Sequence, residues 1–275
     1  MLDKTTEQAL RAKAAKLRCL TIDTIYQAQS GHPGGSLSLA DIMAVLYFHE
    51  LRVDPGSPDD LNRDRVVLSK GHAAPIWYSA LAEKGFFPKD ELKNLRKISS
   101  LLQGHPCLHI PGVDLTTGSL GLGLSGGTGI ALGAKARKKD SRVFVILGDG
   151  EQDEGQVWEA AMAAPYFKLD NLVAIADRNR YQNDGPTSTS MELEPLADKW
   201  KAFGWNVVEI DGHDIPSIAG AFDIARATKG RPTMVLAHTV KGQGASYLID
   251  RPELHYTPPT KEQRDAAIGE LEALL

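Results

Sequence analysis

Five short runs dense in Val, Ile and Leu recur along this chain, and all but the last lead into a stretch with helical patterning. "RVVLS" precedes "APIWYSALAEKG", "RVFVILGD" precedes "GQVWEAAMAAPYF", "NLVAIAD" precedes "PLADKWKAFG", "WNVVEI" precedes "DIPSIAGAFDIARATKG", and "TMVLAHT" closes the series. This alternation builds βαβ units, so it predicts an α/β fold with a doubly wound, mostly parallel sheet and helices on both faces. Strands this continuously apolar suit a sheet covered on both sides. Before the series, Thr5 to Gln29 has apolar residues at helical spacing, ending at Gly31 before Pro33. "GHPGG" is expected to be a turn, and "SLADIMAVLYF" a second helix opened by a Ser38/Asp41 capping box. A final helix, "KEQRDAAIGELEALL", follows "YTPPT" and is expected to pack on the body or on a partner. No repeat or linker divides residues 1–275, which are read as one domain.

Composition removes several functions. A net charge of −4 leaves no basic face for nucleic acid. The longest apolar runs are strand-sized and the N-terminus has no apolar signal core, so neither a membrane span nor secretion is expected. Two cysteines, Cys19 and Cys107, lie far apart without metal-ligand spacing, which fits a reduced cytoplasmic protein.

In an open parallel sheet, ligands bind beyond the carboxyl ends of the strands. "RVVLS" runs into Lys70-Gly71-His72, "RVFVIL" into Gly148-Asp149-Gly150, and "NLVAIA" into Asp177-Arg178-Asn179. One carboxylate and one amide oxygen at such a place suit a hard divalent cation that takes its remaining ligands from phosphate. Glycines beside Asp149 would let backbone approach a diphosphate, and the helix expected near Gly155 would add its dipole. Taken alone, a Gly-Asp-Gly is more often only a tight turn. Gly121-Leu122-Gly123-Leu124-Ser125-Gly126 matches a dinucleotide fingerprint, but "DLTTGSL" before it is a poor strand. It is read instead as a loop that exposes backbone, followed by a helix in which Gly129 and Gly133 permit close contact. His32, His72 and His105 each sit in glycine-flanked loops, and His255 lies in a late loop. Any one alone reads as a solvated loop histidine; together they point to a site that handles hydroxyls and proton transfer. They lack zinc-ligand spacing.

Taken together, "SGHPGGSLSLADIM", "VLSKGHAAPIWY", "LRKISS", "GHP", "TTGSLG", "GDGEQDEGQVWEA", "KLDNLVAIADRN", "AFGWNVVEIDGHD" and "KGQG" resemble the thiamine-diphosphate-binding half of transketolases across almost the whole chain. The resemblance implies thiamine diphosphate as cofactor, with Mg²⁺, replaceable by Ca²⁺ or Mn²⁺, held by Asp149, Asn179 and the carbonyl of Tyr181. It places Gly118, Ser119, Leu120, Gly148, Gly150 and Glu151 along the cofactor, and His72 and Lys241 near its diphosphate and thiazolium. His32, His72, His105 and His255 become candidate catalytic histidines that bind ketose hydroxyls and assist proton transfer, and Glu154 becomes a subunit contact.

Two departures stand out: Leu122 replaces a glutamine common in that loop, and Tyr256 follows His255 where relatives often have glycine. A typical transketolase continues into pyrimidine-binding and C-terminal domains, which carry the glutamate that activates the cofactor. The resemblance therefore implies the N-terminal subunit of a split transketolase, moving a two-carbon ketol unit between sugar phosphates once joined to a C-terminal subunit, in an α2β2 heterotetramer. The alternatives are another thiamine-diphosphate α subunit, acting on a specialised sugar or a 2-oxoacid, and a non-catalytic homologue of this fold.

Overall fold

A computed structural model describes residues 2–249 and 251–274. Five strands form one sheet: β1 Arg65–Leu68, β2 Val143–Leu147, β3 Leu172–Arg178, β4 Asn206–Asp211 and β5 Thr233–His238. Their order is β1-β2-β3-β5-β4 and every pairing is parallel. The helices are α1 Lys4–Ala28, α2 Pro33–Leu37, α3 Ala40–Val45, α4 Ala74–Lys84, α5 Leu122–Ala136, α6 Gly155–Tyr166, α7 Thr187–Ser190, α8 Leu196–Ala202, α9 Ile215–Ala227 and α10 Lys261–Glu272. All five expected strands and the helices after them are present.

Side chains alternate across a strand, and the sheet sends each set into a different layer. Val66, Leu68, Phe144, Ile146, Val173, Ile175 and Val235 pack against α1, α3, α4 and α9. Val67, Val143, Val145, Leu147, Leu172, Ala174 and Met234 pack against α5, α6 and α8, where Trp200 is fully buried. With both faces covered, every residue of β2 and β3 is buried. The fold is therefore doubly wound α/β.

Three local expectations are overturned. "GHPGG" is not a turn: Pro33 opens α2, where its fixed φ suits a first helical position. Ser38 and Asp41 form no capping box. Ser38 is the C-cap of α2 and donates to Asp177 at 2.7 Å, while Asp41 is occupied by Arg18 and His213. The fingerprint-like stretch is not a loop, because Gly121 caps α5 at φ 88° and the helix begins at Leu122. α10 settles on the body: Ala267 and Leu271 pack with Cys19 and Ile22 of α1, and Arg264 pairs with Asp23 at 2.6 Å. Cys19 and Cys107 are free thiols, and no described helix is long and apolar enough to cross a membrane.

The glycines that allow close contact on α5 also differ from those expected. A methyl group on Gly123 would lie 2.6 Å from Ser69 Cα, and one on Gly127 would lie 2.3 Å from Val145 Cγ2, whereas nothing lies within 4 Å of Gly129 or Gly133. Gly123→Ala is therefore expected to destabilise the isolated chain by about 1–3 kcal/mol through overpacking. Gly129→Ala should be neutral or stabilising by up to ~1 kcal/mol, because helix propensity is then the only change. Urea midpoints of the two variants, read side by side, check both signs.

Candidate active site

The ends of β1, β2 and β3 deliver Lys70 and His72, Gly148 to Glu151, and Asn179 to the wall of one cavity of roughly 210 Å³. His32, Gly118, Leu120, Tyr181, Lys241 and His255 complete the part foreseen from sequence. Ser119 is exposed and does not line it. His105 sits at its margin: a methyl group on Gly118 would lie 3.4 Å from the His105 ring. Glu154 is exposed at the start of α6, and its side chain does not cap the helix.

Asp149 is 2% exposed, and Arg178, which it shares with Glu194, is its one ion-pair partner among the described residues. Burial pushes its carboxyl up to about 7, although Arg178, at 3.2 Å, pulls the other way. Its second oxygen accepts the Arg180 backbone N–H. Asn179 follows directly on the end of the neighbouring strand, β3. Its amide nitrogen donates to Asp177 at 3.1 Å, which leaves the amide oxygen available; among the described residues it accepts only the Tyr181 N–H, at 3.0 Å. A hard cation would meet oxygen donors, so this donor set fits Mg²⁺.

The resemblance sets Glu151 along the cofactor, and Glu151 does line the cavity, but its carboxylate is engaged within the chain. It is 2% exposed and accepts from the Ser69 hydroxyl and from the Gly121 and Gly148 N–H groups at 3.0 Å each. It thus ties the end of β2 to the entry of α5. Lys70 and Asp177 were missed altogether as a pair. Both are buried and joined by an ion pair, and Lys70 Nζ also donates to Gly35 O at 2.8 Å. Arg178 was missed as well; "SKGH" and "DRNR" were the only sequence signals.

The imidazoles of His32, His72 and His255 gather with ring centroids 5.0–5.8 Å apart. Burial, helped by Arg96 and His105, holds His32 down at about 4, and burial beside Lys241 holds His255 at about 3. His72 is also driven well below the usual value by burial beside Lys70, and burial and Arg96 lower His105. At neutral pH the cluster is uncharged, each ring able to donate from one nitrogen and accept at the other. His32 Nδ1 and His255 Nδ1 are buried with no hydrogen-bond partner among the described residues. Burial, with Lys70 nearby, lowers Lys241 to about 8, still a cation over the Tyr181 ring at 5.4 Å.

Residues 10–268 match the thiamine diphosphate binding domain of transketolase. The chain belongs to the transketolase family. Within that family it is 42% identical to a subunit of the apulose-4-phosphate transketolase of Phocaeicola vulgatus over 96% of this chain and 94% of that one. It is 44% identical to 6-deoxy-6-sulfo-D-fructose transketolase subunit SqwG of a Clostridium species over 96% of each. The crystal structure of Campylobacter jejuni transketolase superposes with a TM-score of 0.92 at 34% identity, over 96% of this chain and 43% of that one. This transketolase chain thus has the extent of the two subunits and spans 43% of the length of the single-chain enzyme. Its cofactor class is thiamine diphosphate, the ligand for which the matched domain is named.

Proposed function

We propose that this chain is the N-terminal subunit of a split, thiamine-diphosphate-dependent transketolase that, with a C-terminal subunit, transfers a two-carbon ketol unit from a ketose to an aldose. The observation that carries the reading is the meeting, in one cavity, of a buried Asp149 beside the Asn179 amide oxygen with uncharged imidazoles that have unpartnered Nδ1 atoms. Thiamine diphosphate supplies the electron sink for breaking and making the carbon–carbon bond.

The chain's own residues bind and orient. Asp149, Asn179 and the Tyr181 carbonyl would hold Mg²⁺, Gly118, Leu120, Gly148 and Gly150 would present backbone to the cofactor, and Lys241 and His72 would lie near its diphosphate and thiazolium. His32, His105 and His255 take the sugar hydroxyls, and their neutral rings accept or pass a proton there. Glu154 and the apolar residues Leu122, Met162 and Tyr166, which are 51%, 62% and 80% exposed on α5 and α6, face the partner. The free thiols suit a cytoplasmic setting.

The test is reconstitution. Purified alone, this chain should give no ketol transfer from xylulose 5-phosphate, fructose 6-phosphate, apulose 4-phosphate or sulfofructose; with the C-terminal subunit, transfer from at least one should appear. Light scattering should then find a 2:2 complex. Activity of the chain alone, or none with its partner on any ketose, would reject the proposal. In the complex, His105→Ala is expected to raise the ketose KM roughly three- to tenfold, the cost of one hydrogen bond, with cofactor uptake unchanged. Calorimetry and donor kinetics together read this split.

A further inference from the structure

Arg18 of α1, Asp41 of α3 and His213 in the β4–α9 turn form a chain of polar contacts that ends on the segment carrying Lys241. Arg18 and Asp41 are 6% and 7% exposed and paired through both carboxylate oxygens. Arg18 Nε also donates to the Gln243 carbonyl at 2.9 Å. His213 Nδ1 lies 2.8 Å from Asp41 Oδ2, and the Val240 N–H donates to His213 Nε2 at 2.8 Å. The segment is therefore gripped on both sides of Lys241, by His213 at Val240 and by Arg18 at Gln243. Between these points the Gly242 N–H donates to Gly34 O at 3.0 Å.

The partners dictate the state of the ring. A backbone N–H can only donate, so Nε2 must carry a lone pair; a carboxylate can only accept, so Nδ1 must carry the hydrogen. An alternative tautomer would set two donors against each other at Val240 and two acceptors at Asp41. The His213 backbone N–H donates to Asp211 Oδ1 at 2.8 Å, which fixes the turn that presents the ring.

We propose that His213, as the neutral Nδ1–H tautomer oriented by Asp41, is a positioning residue that clasps Val240 and so holds Lys241 at the cavity wall. Its importance for cofactor binding rests on the proposed role of Lys241, but the clasp itself does not. Lys241 is 6% exposed, and its ammonium has only the Gln182 carbonyl, 3.4 Å away, as a hydrogen-bond partner among the described residues. With so little holding the side chain, the backbone on either side must set its position.

Two variants separate the ring's halves. His213→Asn keeps a donor at the place of Nδ1 and leaves nothing at Nε2, whereas His213→Gln can offer an oxygen near the place of Nε2. In the full chain, amide exchange at Val240 should quicken roughly five- to tenfold in His213→Asn, the cost of one hydrogen bond, with β3 and β5 unchanged. His213→Gln should recover most of the protection. Because either variant could fold poorly, nitrogen-15 spectra of the wild-type imidazole provide an independent reading and should report the Nδ1–H tautomer. In the assembled enzyme, His213→Asn should weaken thiamine diphosphate binding while kcat at saturating cofactor stays near wild type. An Nε2–H tautomer, unchanged Val240 exchange in His213→Asn, or equal exchange in the two variants would overturn the clasp. Faster exchange with unaltered cofactor affinity would uphold the clasp and reject the role of Lys241.

Discussion

Asp149→Ala should lower the affinity of the assembled enzyme for thiamine diphosphate by at least roughly a hundredfold and abolish its response to Mg²⁺, since disturbing even the groups behind metal ligands costs about 10–100-fold. The carboxylate is the only anionic member of the proposed donor set, and its neighbours cannot replace it. Asn179 and the Tyr181 carbonyl are neutral, and Arg178 repels a cation. The fold should survive the change. Arg178 keeps a second carboxylate, Glu194, at 2.7 Å, so no buried charge is stranded. Titration calorimetry with and without Mg²⁺, beside a circular dichroism melt, reads the two effects apart. Affinity and metal response equal to wild type would remove Asp149 from the metal site.

What the sequence made legible follows the range of the forces involved. The central strands were visible because both faces of the sheet are buried there, so β2 is apolar along its whole length, whereas β4 at the edge is only partly buried and carries Glu209 and Asp211. Strand direction then marks the residues just past their carboxyl ends as the place where a ligand would bind. Errors arose where a local rule met a tertiary partner. Ser38 and Asp41 have capping-box spacing, but a buried carboxylate at Asp177 and a guanidinium at Arg18 compete for them. Spacing alone could not tell which α5 glycines meet a strand, since that depends on which helix face turns inward; Gly123 and Gly127 do, and Gly129 and Gly133 do not. Glu151 resembled its exposed neighbours Asp153 and Glu154 in sequence, and only the fold distinguishes a buried acceptor of three hydrogen bonds from a surface acid. The His32, His72 and His255 cluster comes from three distant loops: no periodicity marks it, the glycine-flanked contexts point to a shared site, and the family resemblance adds the roles.

Asp177→Asn is expected to cost about 3–5 kcal/mol of stability, the usual result of breaking a buried ion pair by changing one partner. Asp177 is 0% exposed, and it accepts from Lys70, the Thr239 hydroxyl, Ser38 at 2.7 Å and the Asn179 amide at 3.1 Å. One carboxylate thus joins the ends of β1, β3 and β5 to the segment between α2 and α3, and it also turns the Asn179 amide oxygen toward the cavity. Burial alone would raise its pKa, yet Lys70 and the hydroxyl donors hold it below the usual carboxylate range. A depressed folded pKa contributes stability above the unfolded value of about 3.9, lost as the pH falls through the folded value, so Asp177→Asn should also remove this part of the acid dependence. The amide leaves Lys70, 1% exposed, without its ion-pair partner. Lys70→Met in the same chain removes the group left without its partner, and the double variant should regain more than half of the loss. A thermodynamic cycle of the four proteins, by urea unfolding at neutral pH, measures the coupling. Additive losses would mean that Asp177 stabilises the fold through its hydroxyl and amide partners and that the ion pair contributes nothing of its own.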